Sequence, residues 1–194
     1  MTSELFIDVQ PKKISIALTE DRRLMEYQEE SQEASFQVGN VYLAKVKKLM
    51  PGLNSCFVNV GYEKDAFLHY LDLGPQILSL KKYARLADEG NTAQLKMDTF
   101  ELEKDIEKSG KISDFIAVGD RIPVQISKEP INTKGPRITA DLSFAGRYIV
   151  LVPFSNRISV SQKIKSSEER RRLKLLIQSI KPNNFGVIIR TVAE

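Results

Sequence analysis

Cysteine is nearly missing from this sequence: Cys56 is the one thiol in 194 residues. A lone cysteine cannot close an intramolecular disulfide, and it fits a reducing, cytoplasmic setting. Histidine is equally scarce. His69, next to Tyr70 at a strand end, has no partner carboxylate or serine in an evident arrangement and reads as structural. There is no CxxC, no HExxH and no glycine-rich phosphate loop, which removes the usual short motifs of zinc and nucleotide sites. No apolar run approaches the ~20 residues that cross a bilayer. Met1 to Val9 has acidic residues early and lacks a long apolar core, so it does not read as a secretory leader. A soluble, cytoplasmic chain with no membrane partner is the expectation. Neither charge dominates: 29 Lys and Arg stand against 25 Asp and Glu, a net of +4. That balance alone says little about an anionic partner.

What is there reads as β-structure on both sides of a helical middle. Leu5–Val9, Ile14–Leu18 and Arg23–Tyr27 are short strand-type runs separated by Pro11–Lys13 and Glu20–Arg22, a meander. Gln28–Gln37 is polar and reads as a connection. A second strand block runs from about Val38 to Leu68, with Pro51-Gly52 as a turn. From Leu78 to Lys111 strand alternation is lost, and Leu95, Leu102 and Ile106 predict a helical face. Arg121–Ser127 alternates again, with Ile122, Val124 and Ile126 on one side; Arg137–Leu142 reads as a strand after the turn-forming Asn132–Pro136. Phe144–Val152 is apolar. Ser166 or Ser167 then caps a helix whose Leu173, Leu176, Ile177 and Ile180 share a face. Pro182 stops it, and Gly186–Arg190 predicts a final buried strand. Glu194 follows with no polar tail or linker, so the chain is expected to be cut from something longer.

The most informative residues lie between Asn54 and Leu68. Successive side chains of a strand point to opposite faces. If Cys56, Val58 and Val60 face a core, Phe57 faces outward; if Ala66 and Leu68 face it, so does Phe67. Two outward aromatics on neighbouring strands are not required by folding. On a small barrel flanked by cations they suit stacking of unpaired bases, each stack worth roughly 1–3 kcal/mol. Lys45, Lys47, Lys48, Lys128 and Lys134 offer charge for phosphates. The competing reading covers both rings with the helical insert or another domain, making the barrel a protein-interaction module.

Several segments closely resemble the ribonuclease E/G family: Val38–Val46, Gly52–Gly61, Asp65–Leu68, Gly119–Glu129, Thr133–Gly135, Ala145–Leu151 and Val187–Thr191, all in the family's order. The insert and Phe154–Ser159 match poorly. The resemblance implies an α+β fold: an OB-fold β-barrel of the ribosomal-protein-S-one type, residues 38–139 with a helical insert at about 78–113. It would be inserted into a partial ribonuclease-H-like subdomain made of residues 1–37 and 140–194. It further implies single-stranded RNA as partner, in RNA processing and decay, ribosomal RNA included. The family's RNA-contacting positions carry over to Phe57, Phe67, Lys128 and Lys134. Its metal-binding aspartates, and the zinc-binding cysteines that join its subunits, lie in a downstream domain. This chain is thus expected to lack catalytic and metal-binding residues, to need no cofactor and to be monomeric. Magnesium and homo-oligomerisation are expected of the full-length protein.

One further site is implied. A 5′-terminal phosphate carries more charge than an internal one, so a guanidinium with several neutral donors can select it. Arg190 and Thr191 follow a strongly apolar strand, and Gly146 permits close backbone approach. The family senses 5′-monophosphate with this Arg-Thr pair and with backbone at positions matching Gly146 and Val150. A supporting arginine falls at Gln162 here, with Lys163 beside it. The plain alternative is that Arg190 and Thr191 merely end a strand. Asp8 is the one candidate for a self-contained ribonuclease-H-like nuclease, and hydrolysis of that kind needs clustered carboxylates; Asp141, at a strand end, has nothing in the sequence to place it beside Asp8.

Overall fold

The computed structural model describes residues 2–11, 13–31, 36–131 and 134–194, which divide into two compact units, Met1–Gln37 and Val38–Glu194. The first is an antiparallel meander of β1 (Ser3–Gln10), β2 (Lys13–Glu20) and β3 (Arg23–Ser31), in the order β1-β2-β3. Asp21 and Arg22 both take left-handed φ, 46° and 65°, in the two-residue loop joining β2 to β3, the conformation that matches the twist of a hairpin. The reading of Gln28–Gln37 as a connection is corrected in part. β3 continues to Ser31, because edge-strand polarity costs nothing in water and Glu29 pairs with Lys13 across the sheet at 2.6 Å. Lys12, in the first expected turn, and residues 32–35 lie outside the described residues.

The second unit holds a closed barrel of β4 (Val41–Met50), β5 (Ser55–Asn59), β6 (Ala66–His69), β7 (Arg121–Lys128) and β8 (Arg137–Thr139). Around it the order is β4-β5-β6-β8-β7, with β7 closing on β4 and only the β6–β8 pair parallel. This order is consistent with an OB-like barrel. Alternation is the reason these segments close: Ala44, Val46, Cys56, Val58, Ala66, Leu68, Ile122, Val124, Ile126 and Ile138 are all at most 1% exposed and fill the interior.

α1 (Ile77–Asp88) follows β6 and packs along the barrel. The expectation of helix throughout Leu78–Lys111 is wrong beyond Asp88. Gly90, at φ 72°, ends α1 in a Schellman turn: its N–H donates to the Ala87 carbonyl and that of Asn91 to Leu86. The chain then runs back along the helix, captured by tertiary partners. The Glu103 N–H donates to Ser79 Oγ at 2.8 Å, the Ile106 N–H to the Pro75 carbonyl at 2.9 Å, and the Tyr70 hydroxyl to the Glu107 carbonyl at 2.7 Å. These bonds outweigh the helix propensity of a Lys-, Glu- and Leu-rich stretch. Leu95, Leu102 and Ile106 therefore share no helical face.

The expected strand Arg137–Leu142 shrinks to Arg137–Thr139, since the Ala140 N–H turns to the Asp72 carbonyl and leaves the ladder. In the expected turn before it, Asn132 and Thr133 lie outside the described residues. The chain then builds a second sheet, β9 (Phe144–Ala145), β10 (Ile149–Pro153), β11 (Ile158–Val160) and β12 (Phe185–Ile189), ordered β11-β12-β10-β9. α2 (Ser167–Ile180) links the parallel strands β11 and β12. Ser166 caps it, its hydroxyl accepting from the Glu169 N–H. Leu173 packs with Ile164, Val187 and Ile189, and Ile177 joins them, whereas Leu176 and Ile180 stay exposed. Among the described residues no helix is long and apolar enough to cross a membrane.

Candidate nucleic-acid interface

Strand parity puts Cys56, Val58, Ala66 and Leu68 inside the barrel and Phe57 and Phe67 on its outer face, both half-buried. The two phenylalanines stand directly opposite in the β5–β6 register, ring centroids 6.0 Å apart and planes at 69°. They floor an open cleft of about 630 Å³ walled by Lys64, Asp65, Lys134 and Gly135. Gly135 is the residue that lets the two walls meet: a Cβ there would come within 2.3 Å of the Asp65 carbonyl oxygen. The insert does not line this cleft.

Lys128 lies outside the cleft wall but inside a longer row. Across the barrel the register pairs Lys48 with Phe57, Phe57 with Phe67, Phe67 with Arg137, and Arg137 with Lys128. Directly paired residues share a face, so two aromatics are flanked on one side by a lysine and on the other by an arginine and a lysine. Two bulges create this row. The register skips Lys47 between Val46 and Lys48, and skips Ser127 between Ile126 and Lys128, turning the next residue outward. Arg137 was not anticipated as a surface cation of this site. Its Nε and Nη2 both donate to Asp72 Oδ2, at 3.2 and 2.8 Å, which fixes the guanidinium beside Phe67.

The second candidate group gathers at one end of β12. Arg190 Nη1 donates to the Gly146 carbonyl at 2.6 Å, and the Arg190 N–H donates to the Tyr148 carbonyl at 2.8 Å. Val150 pairs with Ala145 on one side and with Ile188 on the other. Thr191 opens a short 3-10 turn, and its hydroxyl lies 3.1 Å from that of Ser161. An open groove of about 420 Å³ runs over Ser161, Lys163, Ile188 and Arg190–Val192. Gly146 and Val150 do not line it; Gly146 joins through its bond to Arg190. Ser161 is a polar contributor that spacing alone could not suggest, since it arrives from the loop after β11. That loop is held by Arg170, which donates to the carbonyls of Val160, Ser161 and Ile164. Gln162 is exposed and outside the groove lining.

The remaining candidates have plain roles. Asp8 is exposed on β1 and accepts from Gln10 Nε2 at 2.9 Å. His69 Nδ1 accepts from the Leu71 N–H. Cys56 is fully buried, and burial pushes its thiol up to about 12. Among the described residues, no three His, Cys, Asp or Glu side chains group so that they could hold a metal ion.

Barrel, row and groove define a class: α+β proteins built on a closed five-stranded barrel. Comparison with known proteins narrows it. The ribonuclease E/G family profile matches residues 143–194. Ribonuclease G of Haemophilus influenzae is 37% identical over 98% of this chain and 35% of its own length. Ribonuclease G of Escherichia coli K12 is 33% identical over 100% of this chain and 36% of its own length. Ribonuclease E of Nostoc sp. is 36% identical over 81% of this chain and 19% of its own length. The chain belongs to the ribonuclease E/G family, and it spans about a third of the length of the ribonuclease G relatives it matches.

Proposed function

We propose that this chain is the RNA-gripping N-terminal part of a cytoplasmic endoribonuclease that processes or degrades RNA. The barrel holds single-stranded RNA, and the end of β12 receives a 5′-monophosphate. The observation that carries the reading is the row Lys48, Phe57, Phe67, Arg137, Lys128, with Lys134 at the wall of the ring-floored cleft. Unstacked bases lie on the two rings while phosphates pass along the cations at either end. A duplex cannot use such a site, because its bases are already stacked. At the second group, the guanidinium of Arg190 supplies charge, and the mutually bonded hydroxyls of Thr191 and Ser161 leave one O–H as a neutral donor.

Magnesium-assisted hydrolysis is what family membership implies for the whole protein. Among the described residues no three or more His, Cys, Asp or Glu side chains group so that they could hold such an ion. No hydrolytic step is assigned to them.

The deciding experiment is a titration of this chain with a fluorescent single-stranded RNA at several salt concentrations, beside the same sequence as a duplex. Binding is expected for the single strand, weakening with salt and with Phe57→Ala or Phe67→Ala. Equal affinity for duplex and single strand, or indifference to both substitutions, removes the reading.

A further inference from the structure

The two segments that fit the ribonuclease E/G pattern least well, the insert after β6 and Phe154–Ser159, pack against each other. On one side the insert grips the barrel. α1 buries Ile77 and Leu80, and Lys81 Nζ donates to both the Asp120 carboxylate and the Phe115 carbonyl at 2.6 Å. On its other side Tyr83 and Phe100 enclose Phe154 from the end of β10. The three rings meet edge-on in every pairing, with centroids 5.4, 5.4 and 5.7 Å apart.

Asn184, just before β12, completes the junction. It is buried, and its Nδ2 donates to the carbonyls of Met97 at 2.7 Å and Phe100 at 2.6 Å. Its own N–H and Oδ1 are held by Asn156. Phe154 and Asn184 both sit at left-handed φ, 59° and 61°. Asparagine takes that conformation readily, but phenylalanine holds it only where the surroundings over-determine it. Arg157 adds an exposed pair to Asp105 at 3.2 Å.

We infer that the insert is a strut, locked by Tyr83, Phe100, Phe154 and Asn184, that fixes the barrel against the β9–β12 sheet so that cleft and groove act on one RNA strand. The chemistry is that of a bidentate ligand. When two weak sites are held at a set separation, filling one raises the effective concentration at the other. The direct link between barrel and sheet, residues 140–143, is pinned by Gln125 through Ser143; the strut joins the same two bodies at a second place, which removes the pivot. The functional half of this inference rests on the RNA reading above.

The test uses the whole chain with nitroxide labels at Lys47→Cys on β4 and Gln178→Cys on α2, both exposed positions; the native Cys56 is buried. Asn184→Gly keeps the left-handed backbone accessible while deleting the amide bridge, and Tyr83→Leu removes a ring without exposing α1. The parent is expected to show one narrow label–label distance distribution, which widens in Asn184→Gly and widens further in the double variant. Preference for 5′-monophosphorylated over 5′-hydroxyl oligonucleotide falls about tenfold, while affinity for the 5′-hydroxyl form is unchanged. A distribution that stays narrow in both variants overturns the strut. A preference that survives widening overturns its coupling role. A parent with no 5′ preference counts against the sensing reading, and the distance distributions still decide the strut.

Discussion

Arg190 reaches across 44 residues of sequence to donate, through Nη1, to the carbonyl of Gly146 at 2.6 Å. That bond takes one donor of the fork and leaves the others available for an anion in the adjoining groove. Arg190→Lys keeps the charge but loses the planar fork, and Arg190→Ala loses both. Both variants are expected to abolish discrimination between 5′-monophosphorylated and 5′-hydroxyl oligonucleotides in competition assays, with 5′-hydroxyl binding unaltered. A preference that persists in Arg190→Ala moves the phosphate site elsewhere.

Phe57 and Phe67 are half-buried and touch each other, so their loss is felt in the free protein as well as in the complex. Each Phe→Ala change is expected to lower stability by about 1 kcal/mol, the scale of an edge-to-face pair. Each should weaken single-stranded RNA binding by roughly 1–3 kcal/mol. Urea denaturation beside fluorescence anisotropy measures both. A variant that fails to fold would make the ring part of the core.

The cations of the row predict a salt signature. If Lys48 and Lys128 meet phosphates, Lys48→Ala and Lys128→Ala should each reduce the slope of log affinity against log salt by about 0.7, the value per phosphate contact on a single strand. Lys163→Ala should leave the slope unchanged for a 5′-hydroxyl strand that occupies the barrel alone.

Asn54 stitches the insert to the barrel, donating from Nδ2 to the Gly110 carbonyl at 2.8 Å and accepting at Oδ1 from the Ile112 N–H at 2.7 Å. It does so from a left-handed φ of 46°. Asn54→Gly keeps the backbone and loses both bonds, for an expected loss of roughly 1–3 kcal/mol. Asn54→Ala adds the left-handed penalty of about 1 kcal/mol and should be the less stable of the two by denaturant melt.

Cys56 reports on the barrel. Burial holds its thiol at about 12, above the ordinary value of 9.0, so the folded state favours the protonated form. The sign follows: this preference is fully present below pH 9.0 and is lost as pH climbs towards 12. Alkylation at pH 8.5 should therefore be very slow in the native protein and rapid in urea. Fast native labelling would mean that the barrel opens.

Much of this was legible in the residues. The meander of β1–β3 follows from short β-type runs parted by turn residues, while the inward run Cys56, Val58, Ala66, Leu68 and the alternation of Ile122, Val124 and Ile126 follow from period-two patterning; both signals act over a few neighbours. The capped helix α2 was equally plain, because Ser166 and the apolar spacing after it are local signals. The insert was not legible past Asp88, since its path is set by Pro75, Ser79 and Tyr70, partners 24 to 37 residues away in sequence.

Patterning in the sequence thus determined that Phe57 and Phe67 would share a face turned away from the core, for side-chain parity is a property of each strand alone. Which cations would stand beside them was a tertiary decision. Lys47 and Ser127 are bulged out of the register, so Lys48 and Lys128 rather than their neighbours face the rings, and Arg137 enters the row through a parallel pairing with β6. A bulge leaves little local mark: the one at Lys47 shows only as the step from Val46 to Leu49 between inward residues, and the one at Ser127 does not show because β7 ends at Lys128. Each exists because the barrel must bend to close, and only the closed barrel decides where.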